Sequence, residues 1–241
     1  DKNDLAVTVF NTLSWGKKFN DAHYVKVLAG YSFESDDKTE FSAKVEGFLG
    51  NELHELNAGS SNPSVAGTSS RSVLMSYFGR VNYGYKDRYL FEGNFRYDGS
   101  SRFAKGNRWG IFPSFSAGWR LSEEEFMKDI DIISNLKIRA GYGIAGNQDA
   151  ISSYMSLPLM SPNGTTTVNG LPVVTMGVTR NYNPDLKWEV KKTFDVGFDL
   201  GMFDERLTLG FDYYNSKTTD LLYNYDVKVP PFTYPTLLAN M

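Results

Sequence analysis

Apolar and polar side chains alternate with a period of two along most of the chain, and the 3.6-residue period of a helix is almost absent. In DLAVTVFNTLSW, Leu5, Val7, Val9, Leu13 and Trp15 share a face, and in YVKVLAGYSF so do Val25, Val27, Ala29, Tyr31 and Phe33. Tyr77, Val81, Tyr83 and Tyr85 alternate with Ser76, Arg80 and Asn82; Tyr89, Phe91, Phe95 and Tyr97 alternate with Glu92, Asn94, Arg96 and Asp98. Ile138, Ala140, Tyr142 and Ile144 oppose Lys137, Arg139, Gly141 and Gly143, and Phe194, Val196, Phe198 and Leu200 oppose Thr193, Asp195, Gly197 and Asp199. Leu207, Leu209, Phe211 and Tyr213 form the last such set. With Trp109 to Leu121 the pattern predicts about eight strands and an all-β fold. Connections alternate in length. Short ones fall at GKKFNDA, at Lys86 and Asp87, at Ser122 to Ser134, and at Asp204 and Glu205; long ones at Glu34 to Arg71, Asp98 to Asn107 and Ala145 to Lys191. Every second turn is tight, which predicts an antiparallel up-and-down meander with its elaboration gathered at one end.

Alternation alone does not say which face meets water, and a soluble β-rich module with its apolar face inward is the alternative. Strand length separates the two. Soluble strands average roughly 5 to 6 residues, whereas several here alternate for about 10, the length a tilted membrane-spanning strand requires. In RWGIFPSFSAGWRL, Trp109 and Trp119 lie on one face about 33 Å apart along the strand. Tilted, that span projects to roughly 25 Å, the height of the apolar band of an outer-membrane barrel, with a Trp at each interface. Ile111, Phe115 and Ala117 lie between them, and Arg108, Gly110, Ser114, Ser116, Gly118 and Arg120 occupy the other face. Pro113 removes a ladder hydrogen bond, so a bulge or a weak pair is expected there. On this reading Glu92, Asn94, Arg96, Arg120, Lys137, Arg139, Asp195 and Asp199 face an aqueous lumen, where they contact a solute or simply solvate the wall and pair across strands.

Composition fits that picture and excludes others. Fifteen Tyr, 17 Phe and 22 Gly accompany a mean hydropathy of −0.36, so much aromatic surface sits beside many polar residues. A net charge of −3 supplies no cationic field for nucleic acid. No apolar run approaches the roughly 18 residues of a membrane-spanning helix. The chain opens on Asp1 with no leader pattern and closes on LLANM, and both ends read as cut. With no cysteine and only His23 and His54, thiolate or histidine metal sites and nucleophile–histidine pairs have almost no raw material, and no enzyme activity is expected.

The remaining motifs read as structural. Glu123, Glu124 and Glu125 follow Ser122 in an S-x-x-E capping pattern, which predicts a short surface helix. Asn147, Gln148 and Asp149 lack calcium-loop spacing and read as hydrogen-bonding groups at a rim. Tyr154, Tyr182 and Trp188 lie in the long loops, where aromatic faces stack on sugar rings; Trp188 alternatively begins the next strand at the outer aromatic girdle. Gly141, Gly143 and Gly146 spell G-x-G-x-x-G, but Pro158, Pro162 and Gly164 follow instead of a helix, and a dinucleotide site is excluded. Gly141 and Gly143 read instead as a bare patch of inner wall with room for a plug or a passing solute, and Gly146 as the exit into the long outer loop.

The runs RYLFEGNFRYDGSSRFAKGNRWGIFPSFSAGWRLSEEEFM, LKIRAGYGIAGNQ and NPDLKWEVKKTFDVGFDLGMFDERLTLGFDYYNSKTTDLL resemble, in order, the barrel of the SusC/RagA-type TonB-dependent transporters of the Bacteroidetes outer membrane. The resemblance covers most of the chain from Arg71 onward, and the first 70 residues match more loosely. It implies that residues 1–241 are part of a multi-pass outer-membrane barrel of about 22 strands, here without its plug or TonB box. It also implies import of oligosaccharides or peptides, a SusD-like lipoprotein over the mouth, energy from the TonB-ExbB-ExbD complex, and no cofactor. Some lumen-facing residues would then contact the plug.

Overall fold

The computed structural model describes residues 1–52 and 55–241. Among these there are twelve strands: β1 (Lys2–Phe19), β2 (His23–Glu46), β3 (Ser61–Tyr85), β4 (Tyr89–Ser100), β5 (Trp109–Arg120), β6 (Ile133–Asn147), β7 (Met160–Val168), β8 (Leu171–Val178), β9 (Glu189–Met202), β10 (Leu207–Thr219), β11 (Leu222–Asp226) and β12 (Thr236–Asn240). β1 to β6, β9 and β10 form one sheet in that order, every pair antiparallel, which is the expected eight-stranded meander. The other four strands form two hairpins, β7 with β8 and β11 with β12, that the alternation did not predict.

Three of the short turns have the backbone that tight hairpins need. Asn20 and Asp21, Lys86 and Asp87, and Phe203, Asp204 and Glu205 all have positive φ, and left-handed residues match the turn to the twist of the flanking strands. Asn and Asp tolerate this region better than other side chains, since their polar groups hydrogen-bond locally.

Register carries the apolar set across the sheet on one face. Trp15 lies opposite Val27, Val27 opposite Val81, Val81 opposite Gly93, Gly93 opposite Phe115, Phe115 opposite Tyr142, and Tyr142 opposite Phe194. The Phe115 ring lies over Gly93, so a large side chain covers the gap left by a small one. This face is open: Leu13 is 78% exposed, Phe115 51% and Phe211 56%. An apolar surface of this extent is incompatible with a water-facing role and matches the lipid face of a barrel.

Aromatic rows close the band at both ends. At the long-loop end Tyr31 contacts Tyr77 at 5.2 Å between ring centroids, and Trp109 stacks on Tyr97 at 4.6 Å and on Tyr77 at 6.3 Å. At the short-turn end Tyr89 stacks on Trp119 and on Tyr85, each at 6.2 Å, and His23 lies 4.8 Å from Tyr85. The two tryptophans therefore sit at opposite edges of the band.

Three expectations are corrected. Glu34 to Arg71 is mostly strand, because β2 continues to Glu46 and β3 starts at Ser61, rising roughly 50 Å past Tyr31 at about 3.3 Å per residue. Polar residues on both faces hide the period of two there, while the backbone ladder persists. Lys2 with Glu40 and Arg71 with Asp37, both at 3.3 Å, tie this three-stranded blade together. The segment from Ser122 holds only the short 3-10 turns Leu121–Glu123 and Glu125–Met127, without a side-chain cap, instead of a capped helix. The weak pair expected at Pro113 falls on one side only: Pro113 pairs with Phe95, but β5 and β6 pair only from Ser114 with Gly143 to Arg120 with Lys137, leaving the strands apart beyond Pro113.

The two faces predict different costs for the same substitution. Phe115→Arg, at mid-band on the lipid face, is expected to cost about 2 to 4 kcal/mol, and Ser116→Arg on the other face much less. Reversible unfolding of the intact parent barrel in lipid vesicles measures both; equal costs would contradict the facing.

Candidate functional site

The lumenal face is a lattice of long polar side chains laid over glycines. In one register row Gly118 lies opposite Arg139, Arg139 opposite Gly197, and Gly197 opposite Asp212. Because Gly197 has no side chain, Arg139 on β6 crosses β9 to reach Asp212 on β10, its Nη2 donating to Asp212 Oδ2 at 3.0 Å. The same guanidinium donates to both carboxylate oxygens of Asp199, at 3.2 and 3.1 Å. From the row on one side the Lys137 side chain passes over Gly118, and in the row on the other side the Asp195 carboxylate lies over Gly141, 2.6 Å from where a Cβ would stand. Gly141 is therefore not bare wall. Gly146 is covered too, by the ring of Phe112, whereas Gly143 has only Ser114 beside it. The bare-patch reading thus holds at most for Gly143.

A second polar cluster joins β3 and β4. Asn82 and Asn94 donate to Glu92 at 2.5 and 2.8 Å, Arg80 Nε donates to Asn94 Oδ1 at 2.6 Å, and Arg96 donates to Asp98 at 2.8 Å and to the buried Ser76 hydroxyl at 3.0 Å. Glu92, Asn94, Arg96, Arg139 and Asp199 are thus engaged within the wall. Arg120, Lys137 and Asp195 make no side-chain hydrogen bond or ion pair among the described residues, and Arg120 and Lys137 are direct cross-strand neighbours of like charge. Towards the long-loop end the lumenal face hollows into a concavity of about 860 Å³, bordered by Phe10, Phe78, Arg80, Arg96, Phe112 and Gln148.

The dry interior of this chain lies at the long-loop rim. Phe103, Phe112, Ile151, Leu186, Trp188 and Leu238 are buried together. Trp188 meets Phe103 at 4.9 Å and the edge of Phe112 at 5.3 Å, and its indole N–H donates to Arg108 O at 3.1 Å, which satisfies the polar tip of a buried ring. Trp188 directly precedes β9, close to the strand start expected, but it is buried, so it is neither an exposed sugar platform nor a girdle residue. Tyr154 is half-buried, and its hydroxyl accepts the Arg71 backbone N–H at 3.1 Å, which fastens the loop to β3. Tyr182 alone of the three is exposed. Asn147 donates to Glu189 at 3.2 Å and accepts the Asp149 N–H at 3.0 Å, as a rim residue does. Asn181 and Asn183 donate to backbone carbonyls of Tyr234, Thr236 and Leu238, docking the 181–188 segment along β12.

At the short-turn end Glu124, which the capping pattern misassigned, fixes the aromatic row. One of its oxygens accepts from the Tyr89 hydroxyl at 2.6 Å and the Trp119 indole at 3.0 Å, and the other from Arg88 at 3.2 Å. The Tyr89 bond, then the Trp119 bond, hold this carboxyl below the usual carboxylate range. His23 joins the same row, accepting from or donating to the Tyr83 hydroxyl at 2.8 Å. His54 lies outside the described residues. Among those residues no cluster of three acidic or histidine side chains converges on a metal position.

Against known proteins, the family profile "TonB dependent receptor-like, beta-barrel" matches residues 3–240. The chain belongs to the TonB-dependent receptors. It is 43% identical over 164 residues to the TonB-dependent receptor SusC of Bacteroides thetaiotaomicron, covering 67% of this chain and 16% of that protein. It is 37% identical over 242 residues to the TonB-dependent receptor P39 of Formosa agariphila, covering 96% of this chain and 22% of the relative. The RagAB peptide importer in its closed-closed state superposes with a TM-score of 0.90 at 24% identity over 99% of this chain and 26% of that one, a likeness of fold. The chain spans about a fifth of the length of such curated relatives. TonB-dependent receptors are outer-membrane β-barrel transporters rather than enzymes, and this chain is a stretch of such a barrel's wall. The short turns of this TonB-dependent receptor are accordingly periplasmic and its long loops extracellular.

Two measurements on the intact receptor test these assignments. Trp188→Ala empties the rim core at a local cost of about 3 to 5 kcal/mol; protease cleavage within residues 148–188 is expected to accelerate strongly while the barrel keeps its resistance to heat in detergent. Glu124 is held low in the folded state, so its contribution is present at neutral pH and is lost as pH falls through that lowered value, beneath the ordinary 4.5. Glu124→Gln is expected to flatten the acid limb of a melting-midpoint profile against pH; an unchanged acid limb would remove Glu124 from the anchor.

Proposed function

We propose that the chain forms part of the wall of an outer-membrane importer of large nutrients, oligosaccharides or peptides, with a SusD-like lipoprotein over its mouth and TonB-ExbB-ExbD as its energy source. The observation that carries this reading is the division of the sheet into one lipid-compatible face and one polar face whose charges are largely neutralised within the wall. A wall neutralised in this way holds water without a strong field, which suits passage of bulky solutes that carry few charges or balanced ones. The similarity to SusC and to the RagAB peptide importer supports the same class and leaves sugar and peptide both open.

Within the wall, Glu92, Asn94, Arg96, Arg139 and Asp199 serve chiefly to neutralise and space the strands. Arg120, Lys137 and Asp195, unengaged among the described residues, are the groups that meet the plug or the solute. Tyr182 is the loop aromatic available to stack on an incoming ring.

Uptake assays with the full-length parent in its own host test this. Deletion of the gene should abolish accumulation of a fluorescent oligosaccharide or oligopeptide, and a protonophore should do the same to the wild type. Arg120→Ala with Lys137→Ala should slow uptake severalfold, whereas Asn94→Ala should change it little. Uptake indifferent to both deletion and protonophore would overturn the importer reading.

A further inference from the structure

We infer that Lys192 and Lys217 form a binding site for the phosphate groups of the glycolipid in the outer leaflet of the membrane. On β9 the outward apolar run from Met202 to Phe194 ends at Lys192, and on β10 that from Leu207 to Tyr213 gives way to Asn215 and Lys217. Lys192 lies directly opposite Lys217, and Phe194 lies opposite Asn215 in the next row on the same face. The facing follows from the neighbours. Thr193 and Ser216 meet across these two strands at 2.9 Å, and Lys191, Thr193 and Asp195 border a lumenal hollow with Glu92 and Asn94. Side chains alternate along a strand, so positions 192 and 217 point away from the lumen, at the long-loop end of both strands.

Like charges directly opposite each other on a sheet destabilise it unless something lies between them. Elsewhere the wall supplies a partner: outward Arg71 meets Asp37 at 3.3 Å, and lumenal Arg139 meets Asp199 at 3.1 Å. Lys192 and Lys217 have none among the described residues, because the outward positions of β6, β9 and β10 hold no carboxylate. The acids at the strand ends are engaged elsewhere, Asp220 by Lys187 at 2.6 Å and Glu189 by Asn147 and the Leu222 N–H, each at 3.2 Å. β9 has both of its neighbours, β6 and β10, in place, and a barrel wall continues sideways from the edge of β10 without crossing its outer face. A carboxylate on the next strand would stand beside Lys217 and leave Lys192 one strand further away, by roughly 5 Å.

Chemistry selects the occupant. Two ammonium groups with the Asn215 amide beside them offer several donors and no acceptor charge, which suits the clustered oxygens of a phosphate. Immediately inward, the same face is apolar and lies against acyl chains. The ligand is therefore anionic at its head and hydrocarbon beneath it, an amphiphile held in the leaflet. A phosphorylated glycolipid of the outer leaflet has this form, and basic side chains at a membrane surface attract anionic headgroups.

The test uses the full-length receptor, affinity-tagged and extracted from its native outer membrane in mild detergent, with bound glycolipid quantified by mass spectrometry. Lys192→Gln with Lys217→Gln is expected to lower the glycolipid retained per receptor at least about tenfold, with yield and heat-modifiability unchanged. Lys192→Arg with Lys217→Arg should retain it nearly as wild type does, and so should Lys191→Gln on the lumenal face. Wild-type retention by the double glutamine variant would overturn the site, as would an equal loss from Lys191→Gln or no glycolipid on the wild-type receptor. Loss from Lys217→Gln with none from Lys192→Gln would overturn the pair. Delipidated wild-type receptor separates the sources of phosphate: the host's own glycolipid should rebind, and the same glycolipid stripped of phosphate with hydrofluoric acid should not. Equal rebinding of the stripped form would overturn phosphate as the group recognised, and displacement by inorganic phosphate would overturn the lipid in favour of a soluble anion.

Discussion

The pairing of every backbone N–H and C=O between neighbouring strands is the constraint on which this structure depends. In hydrocarbon an unpaired peptide group costs several kcal/mol, so spanning strands must run long and stay in register. The sheet from β1 to β10 does this with small adjustments only, a shift between Ile133 and Asn135 near the periplasmic turn and another between Lys44 and Glu46 far outside the band. Pro113, which lacks a donor, stands where β5 and β6 part company, two residues from Phe115, so the missing hydrogen bond falls where that ladder has already ended.

Once the ladder is fixed, side chains are free to divide their labour. The outer face needs only apolar cover of even depth, and small residues such as Gly93 are roofed by rings such as Phe115. The inner face must keep many charges within a few ångströms of one another without strong net potential. Glycines placed beside charges in the register help with this, because Lys137 lies over Gly118, Asp195 over Gly141, and Arg139 and Asp212 meet over Gly197. Gly197 is the clearest case, since any larger residue there would separate Arg139 from Asp212.

Much of this was legible in the chain. Strict alternation located all eight wall strands, the Asn-Asp and Lys-Asp pairs located tight turns, and Trp109 and Trp119 marked both edges of the band. Besides the two small hairpins, three features were not legible, each for a physical reason. The β2–β3 blade has water on both sides, so no hydrophobic period records its strands. Glu124 has partners, Tyr89 and Trp119, on other elements, contacts that a local capping pattern does not record. Trp188 is buried by Phe103, Phe112 and Leu238, whose convergence depends on strand order and not on neighbours in sequence.

That rim core also bears on how such a barrel is assembled. Its residues come from four separate stretches of chain, the β4–β5 loop with the start of β5, the segment after β6, the approach to β9, and β12, all on the far side of the membrane from the periplasm. Contacts of such high sequence separation form slowly, so the cluster is expected to close after the intervening strands have paired. Closure of the core on the cell surface would then hold the finished loops in place and hinder their return.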